Sequence, residues 1–427
     1  MGGGLLQLVA YGAQDAYLSG NPQITFWKGL FKRHTNFAME PFRINFTGQA
    51  SWGTKHSAVV GRHADLLYST YLEVVLPAGT YNNDQGRLGY NLIKYVELNI
   101  GGQQIDRLYG EWLYLWDAIT SDLSTSTKLW NMLGGAGAGG SVTLTDPTAC
   151  NSGNGKPSLP NVYYIPLTFF YTRNPGAALP LIALQYHEVK IDLQWNDAQT
   201  IAGDFRYAST LPQPTQAAIY IDYIYLDTEE RRRMAQESHE YLIEQTQFNE
   251  DKGISSYNNR IDLTFNHPVK ELVWVVQPTS YTNCKIAKAS SGTRLQPFTY
   301  SYDAVESQWL QINGQDRLDK RYGDYFNQPQ LYQHHTGIGA TVQGTSIPSI
   351  QPGIYCYSFA LRPEEHQPSG TCNFSRIDTA TIVMNISGAI TVNARDTYDD
   401  TWDVRVYAVN YNILRIMSGM AGLAYSN

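Results

Sequence analysis

Three features predict a mainly β protein made of two copies of one domain. Apolar residues recur at every second position along most of the chain, helical patterning is confined to two short stretches, and a segment near residue 100 returns near residue 312. The 427 residues exceed what one hydrophobic core supports, so two domains of about 200 residues each are expected. Charged residues make up 16% of the chain, below the roughly 25% of an average soluble domain, while 31 Tyr, 9 Trp and 36 Gly suit strands joined by long turns. That composition excludes intrinsic disorder, and without a run of 18 apolar residues no transmembrane helix is expected.

In chain order, strand patterns fall at 70–76 (Leu72, Val74, Leu76), 95–100 (Val96, Leu98, Ile100), 162–171 (Ile165, Leu167, Phe169), 187–195 and 218–226, then at 270–277, 353–361, 376–386 and 402–413. The clearest is HEVKIDLQW, in which His187, Val189, Ile191, Leu193 and Trp195 share one face and Glu188, Lys190, Asp192 and Gln194 the other. Each strand is expected to bury one face. Helices are expected at 111–123 (Trp112, Leu115, Trp116, Ile119) and 228–243, the second with Asp227 as N-cap and Glu230 completing a capping box. The stretch 133–160, rich in Gly, Ser, Thr and Pro, reads as an exposed loop.

The repeat is specific. Leu98, Ile100, Gly102 and Gln103 match Leu310, Ile312, Gly314 and Gln315, and one inserted residue later Tyr109-Gly110-Glu111 matches Tyr322-Gly323-Asp324. Gly101-Gly102 and Asn313-Gly314 are both hairpin signals that tolerate positive φ. Two copies of one domain follow, joined near 227–245.

A net charge of −7 gives no global attraction to nucleic acid, and residues 1–30 carry only Asp15 and Lys28, so no basic arm is present there. The opening MGGGLLQLVAYG does not read as a secretory signal. Cys150, Cys284, Cys356 and Cys372 form no CxxC pair and read as free thiols of a reducing compartment.

Catalytic patterns are missing. Gly135, Gly137 and Gly140 spell GxGxxG but are followed by a Ser/Thr/Pro-rich stretch rather than a helix, which excludes a dinucleotide site. His187-Glu188 and His239-Glu240 lack the second His of a zinc-protease helix, and no GxSxG elbow occurs. His187 reads as a core histidine bonded to backbone, His334-His335 as part of a loop, and Cys356 as a small buried hydrophobe. Arg231, Arg232 and Arg233 are expected to form helix-face ion pairs with Glu229 and Glu230. Asp396, Asp399, Asp400 and Asp403 are a weak Ca²⁺ candidate, read chiefly as a solvated turn because the glycine and terminal glutamate of an EF-hand are absent. Sequons at Asn45, Asn373 and Asn385 are no more numerous than composition yields by chance, and Asn385 falls in a strand pattern. No enzyme activity, cofactor or structural metal is expected.

Longer blocks carry more information. LVAYGAQDAYLSGNPQITFWKGLFKRHTNFA (8–38), IPLTFFYTRNPGAALPLIALQYHEVKI (165–191), LDTEERRRMAQESHEYLIEQ (226–245), YSFALRPEEHQPSGTCNFSRID (357–378) and VYAVNYNILRIMSGMAGLAYSN (406–427) resemble, in order and over nearly the full length, the major capsid protein of nucleocytoplasmic large DNA viruses. The resemblance implies two tandem eight-stranded antiparallel jelly-roll β-sandwiches with a few short helices. It divides the chain into an arm at 1–25 facing the capsid interior, a first jelly roll at 26–226, a linking helix at 227–245 and a second jelly roll at 246–427. It also implies homotrimeric, pseudo-hexagonal capsomers that contact one another, minor capsid and penton proteins, with an internal membrane nearby and no direct nucleic-acid contact. Synthesis in the host cytoplasm and glycans outside the usual sequon belong to the same expectation. A carbohydrate-binding or carbohydrate-active β-sandwich is the alternative, since surface Tyr and Trp can stack on sugars and a carboxylate pair can hydrolyse them.

Overall fold

In the computed structural model, residues 3–19, 34–135, 141–144, 161–203, 211–282, 295–300, 302–337, 351–386 and 401–425 are described. The first half supplies eight principal strands: β1 (Phe37–Asn45), β2 (Lys55–Val59), β3 (Leu66–Val75), β4 (Ile93–Ile100), β5 (Gln103–Tyr109), β6 (Val162–Pro166), β7 (Val189–Trp195) and β8 (Gln216–Leu226). They form two antiparallel sheets in the orders β1-β8-β3-β6 and β2-β7-β4-β5. The second half repeats this with β9 (His239–Ile254), β10 (Asn258–Asp262), β11 (Pro268–Pro278), β12 (Val305–Ile312), β13 (Gln315–Asp316), β14 (Ile354–Ser358), β15 (Ala380–Ile386) and β16 (Trp402–Met417). Its sheets run β9-β16-β11-β14 and β10-β15-β12-β13, the same path shifted by eight strands. Two four-stranded sheets wound in this order are a jelly roll, present twice.

Alternation places the cores. Val189, Ile191, Leu193 and Trp195 of β7 are buried with Leu72 and Val74 of β3 and Ile219 and Ile221 of β8 in the first sandwich. Leu272, Trp274 and Val276 of β11 meet Val404, Val406, Ala408, Ile382 and Leu310 in the second. The expectation of one buried face fails for β11 and β16. Their other faces, carrying Val273, Val275, Tyr407 and Val409, join the core cluster of the first half. Strands enclosed on both sides read as continuous apolar runs, as ELVWVV does at 271–276.

The repeat is reproduced in space. Gly101 and Gly102 (φ +60° and +84°) and Asn313 and Gly314 (φ +50° and +75°) turn equivalent hairpins. A Cβ on Gly110 would lie 2.2 Å from the Ile93 carbonyl, and one on Gly323 would lie 2.1 Å from that of Val305, the same position in the other copy. Helix Gly110–Thr120 follows in the first half, and helices Asp324–Asn327 and Pro329–His334 follow in the second.

Four local expectations need correction. The strand expected at 162–171 ends at Pro166 and gives way to helix Phe170–Arg173, since Pro lacks the amide to continue a ladder. The linking helix expected over 227–245 spans only Thr228–Gln236; from His239 the alternating HEYLIEQTQF pairs with β16 along sixteen residues. Asp227 occupies the N-cap of that helix, but its side chain makes no capping bond. Within the Gly-rich stretch 133–160, Leu133 closes helix Leu123–Leu133 with Gly134 as its left-handed cap, and Ser141–Leu144 pairs with Gly79–Asn82; 136–140 and 145–160 lie outside the described residues. In the arm, helix Gly3–Val9 is fastened to β1 by the Glu40 carboxylate, which accepts from the Gly3 and Gly4 amides.

Candidate functional site at the seam between the sandwiches

Among the described residues, the densest buried polar chemistry lies where β9, β11 and β16 face the first half. Glu111, at the start of helix Gly110–Thr120, accepts from Arg405 Nε at 2.9 and 2.7 Å, from Tyr300 Oη at 2.6 Å and from Tyr407 Oη at 2.6 Å. Arg405 also donates to Gln277 Oε1 at 2.6 Å. Burial, reinforced by the Glu111 charge, holds both phenols far above their ordinary pKa. This acid from one half thus gathers three donors from the other.

A second knot joins Arg173 of the first half to Glu244 on β9 (2.6 Å), which also pairs with the fully buried Lys270 (2.7 Å). The Arg173 guanidinium lies 4.6 Å from the Trp116 ring centre. Burial pulls Lys270 below its usual pKa; burial alone would raise Glu244, but Arg173 and Lys270 reverse this and hold it low. Asp84 accepts from the Phe298 amide and Thr299 Oγ1, both at 2.8 Å, and Asp106 from the Thr246 amide at 3.0 Å. Burial pushes each of these two carboxyls up to about 6. Gly337 N and Thr336 Oγ1 hold the carbonyls of Ile119 and Thr120. Such paired groups, set in shared apolar core, fix two sandwiches in one orientation.

A third group lies on β11, β14 and the segment after helix Pro329–His334. His335 Nε2 is 3.1 Å from Glu271 Oε2 and 3.4 Å from Cys356 Sγ, and its Nδ1 is 3.1 Å from Glu364 Oε1. Burial alone would lower His335, but the facing Cys356 and Glu271 hold it well above the usual imidazole value; burial raises the Cys356 thiol. The loop reading of His334-His335 is therefore corrected, since His334 ends a helix and His335 is sealed against the sulfur of Cys356, which is buried in the apolar core as expected. The three side chains come from distant parts of the sequence, and no local spacing announces them.

The remaining sequence candidates stay apart. Asp403 is not in a solvated turn but buried in β16, accepting from Thr279 Oγ1 at 2.7 Å and the Gly253 amide at 3.1 Å. Asp396, Asp399 and Asp400 lie outside the described residues. Asn45 and Asn373 are exposed, the latter with Oδ1 accepting from the Ser375 amide, whereas Asn385 is 4% exposed and donates to Ser307. His187, half-buried just before β7, accepts from the Ala421 amide. Arg232 pairs with Glu229 as expected, but Arg233 pairs with Glu237 and Arg231 crosses to Asp65.

Two jelly rolls of identical winding, locked through a buried seam, define a double jelly-roll protein. Comparison agrees over the whole length: residues 25–227 match the major capsid protein N-terminus model and residues 230–422 the large eukaryotic DNA virus major capsid protein model. The chain belongs to the large eukaryotic DNA virus major capsid protein family. It is 45% identical to the major capsid protein of Pyramimonas orientalis virus and 38% identical to that of Paramecium bursaria Chlorella virus 1, each over 100% of both chains. A quasi-atomic model of the PBCV-1 virus capsid superimposes with a TM-score of 0.74 at 34% identity, covering 94% of this chain and 100% of that one. The Faustovirus major capsid protein shares the fold at 12% identity, with a TM-score of 0.67 over 92% of this chain and 93% of that one. The chain is thus a structural protein of a viral capsid shell.

Proposed function

We propose that three copies of this chain close into a capsomer whose six sandwiches approximate a hexagon, and that these capsomers tile an icosahedral shell. The observation that carries this reading is the pair of equivalently wound sandwiches fixed by a buried seam. Rigid two-wedge subunits related by a threefold axis present six similar edges, and closed cyclic symmetry is the usual outcome for identical chains. Obligate contacts of this kind bury on the order of thousands of Å².

In this reading the arm at 1–25 faces the interior, beside an internal membrane and minor capsid proteins, while penton proteins complete the vertices. The net charge of −7 supports a shell without direct contact to the genome. The protein is made and assembled in host cytoplasm and acts without catalysis. Of the three sequons, Asn45 and Asn373 are the candidates for modification, because a glycan on Asn385 would have to displace core. Light scattering on purified protein should give three times the chain mass of 48.0 kDa, unchanged on dilution through the micromolar range. A monomer there would overturn the trimer.

A further inference from the structure

We propose that Glu271, His335 and Cys356 bind a soft divalent cation of the zinc type, one per chain. Their ligand atoms all lie within 4.8 Å of one another. Zinc bonds of about 2.0–2.3 Å at tetrahedral angles separate neighbouring ligands by roughly 3.3–3.6 Å. The observed 3.1 Å from Nε2 to Oε2 and 3.4 Å from Nε2 to Sγ come within about 0.2 Å of such edges.

Hydrogen-bond accounting gives an independent reason. Glu271 is wholly buried, and neither of its carboxylate oxygens has a hydrogen-bond donor. A carboxylate that accepts no hydrogen bond is costly in such a place. Glu364, held by the Thr336 amide (2.9 Å) and hydroxyl (2.7 Å), fixes the Nδ1–H of His335 and turns the Nε2 lone pair inward. That is the arrangement by which a carboxylate orients a metal-binding histidine. An imidazolium would turn its single Nε2–H toward both the carboxylate and the sulfur, whereas a dication shared by imidazole, thiolate and carboxylate satisfies all three and cancels the two negative charges. The thiolate selects zinc-like ions over Ca²⁺ or Mg²⁺. The same atoms in the order Cys356–His335–Glu364 mimic a nucleophilic triad, but the sulfur and imidazole are sealed from solvent, so no substrate reaches them. Three protein ligands leave one tetrahedral position for water. The ion would tie β11, β14 and the 335–337 segment together, and through Thr336 and Gly337 would reinforce the grip on Ile119 and Thr120.

The test uses the full-length assembled protein after dialysis against a chelator. Titration with zinc chloride against a chromophoric competitor should show one equivalent per chain with submicromolar affinity. Cobalt chloride should produce thiolate-to-cobalt charge-transfer absorption. A variant with Cys150, Cys284 and Cys372 all replaced by Ser must retain that absorption, since Cys356 is then its sole thiol; loss of the band there overturns the proposal. Glu364→Gln should weaken zinc binding about 10–100-fold. Cys356→Ser, where it folds, should remove the cobalt band. Failure of the unsubstituted protein to take up an equivalent of zinc, or unchanged zinc affinity in Cys356→Ser, would also overturn it.

Discussion

Replacing Glu111 by Ala should be among the most damaging single changes available in this chain. It strips the acceptor from the buried Arg405 guanidinium and from the hydroxyls of Tyr300 and Tyr407 at once. Removing one partner of a buried ion pair costs about 3–5 kcal/mol, and two orphaned phenols place this case at the upper end. With an unfolding entropy of about 2.1 cal/mol/K per residue over a sandwich of roughly 200 residues, 5 kcal/mol lowers the thermal midpoint by about 12 °C. Arg405→Ala should cost about 3 kcal/mol, because Glu111 keeps its two phenol donors. The double Ala variant should fall about 2–3 kcal/mol short of the sum of the singles, since each single change already breaks the same contact. Glu111→Leu with Arg405→Met, which replaces the pair by apolar volume, should recover to within about 2 kcal/mol of the parent. Calorimetry at fixed chain concentration and scan rate measures all four. Additive single and double Ala variants, or a loss below about 1 kcal/mol for Glu111→Ala, would show that apolar packing alone holds the seam.

The raised carboxyls set a pH dependence with an unusual sign. Asp84, at about 6 in the folded chain against an ordinary 3.8, binds its proton more tightly when folded, so its contribution to stability is greatest below about pH 4 and declines as pH rises through 6. The difference amounts to about 3 kcal/mol. Asp84→Asn should accordingly gain on the parent by about 2–3 kcal/mol between pH 4 and pH 7.5, and a pH-independent difference would contradict this. Glu244, held low, runs the other way: its stabilisation persists above the ordinary carboxylate value and is lost as pH falls through its depressed pKa. Gly110→Ala should cost about 1–3 kcal/mol because a Cβ would meet the Ile93 carbonyl at 2.2 Å, whereas Gly314→Ala, with open space around it and φ of +75°, should cost only about 1 kcal/mol; equal losses in urea titrations would refute the steric argument.

Strands with one buried face were legible because burial imprints period two on the sequence, as in β7. The duplication was legible because hairpin glycines and the Gly110 and Gly323 approaches tolerate few substitutes. The seam was not. Glu111 and Arg405 stand nearly 300 residues apart, and nothing in GEWLYLW distinguishes an acid that meets a distant guanidinium from one that meets water. The same holds for His335, whose surroundings of Gln, Tyr and Gly suggested a loop while its partners came from β11 and β14. The start of β9 reads as helix because RRRMAQESHEYLIEQ keeps strong helix formers past the point where pairing with β16 takes over.

The closing of β1 on β8 bears on how the chain is made. Phe37 pairs with Leu226 and His239 with Ile416, so every principal sheet pairing of the first sandwich lies within its own half. At about 5–20 residues per second, the roughly 200 residues still to come occupy the ribosome for about 10–40 s. Throughout that interval the finished first sandwich lacks Tyr407, which packs on Trp112, and Phe298, which stacks on Tyr114, and presents both side chains to solvent. A chain released after Gln236 should fold its sheets yet self-associate, and a dispersed monomer in sedimentation would argue against this. Translation of this coat protein thus carries an exposure window set by sequence length, and the first half emerges in need of shelter until its own second half arrives.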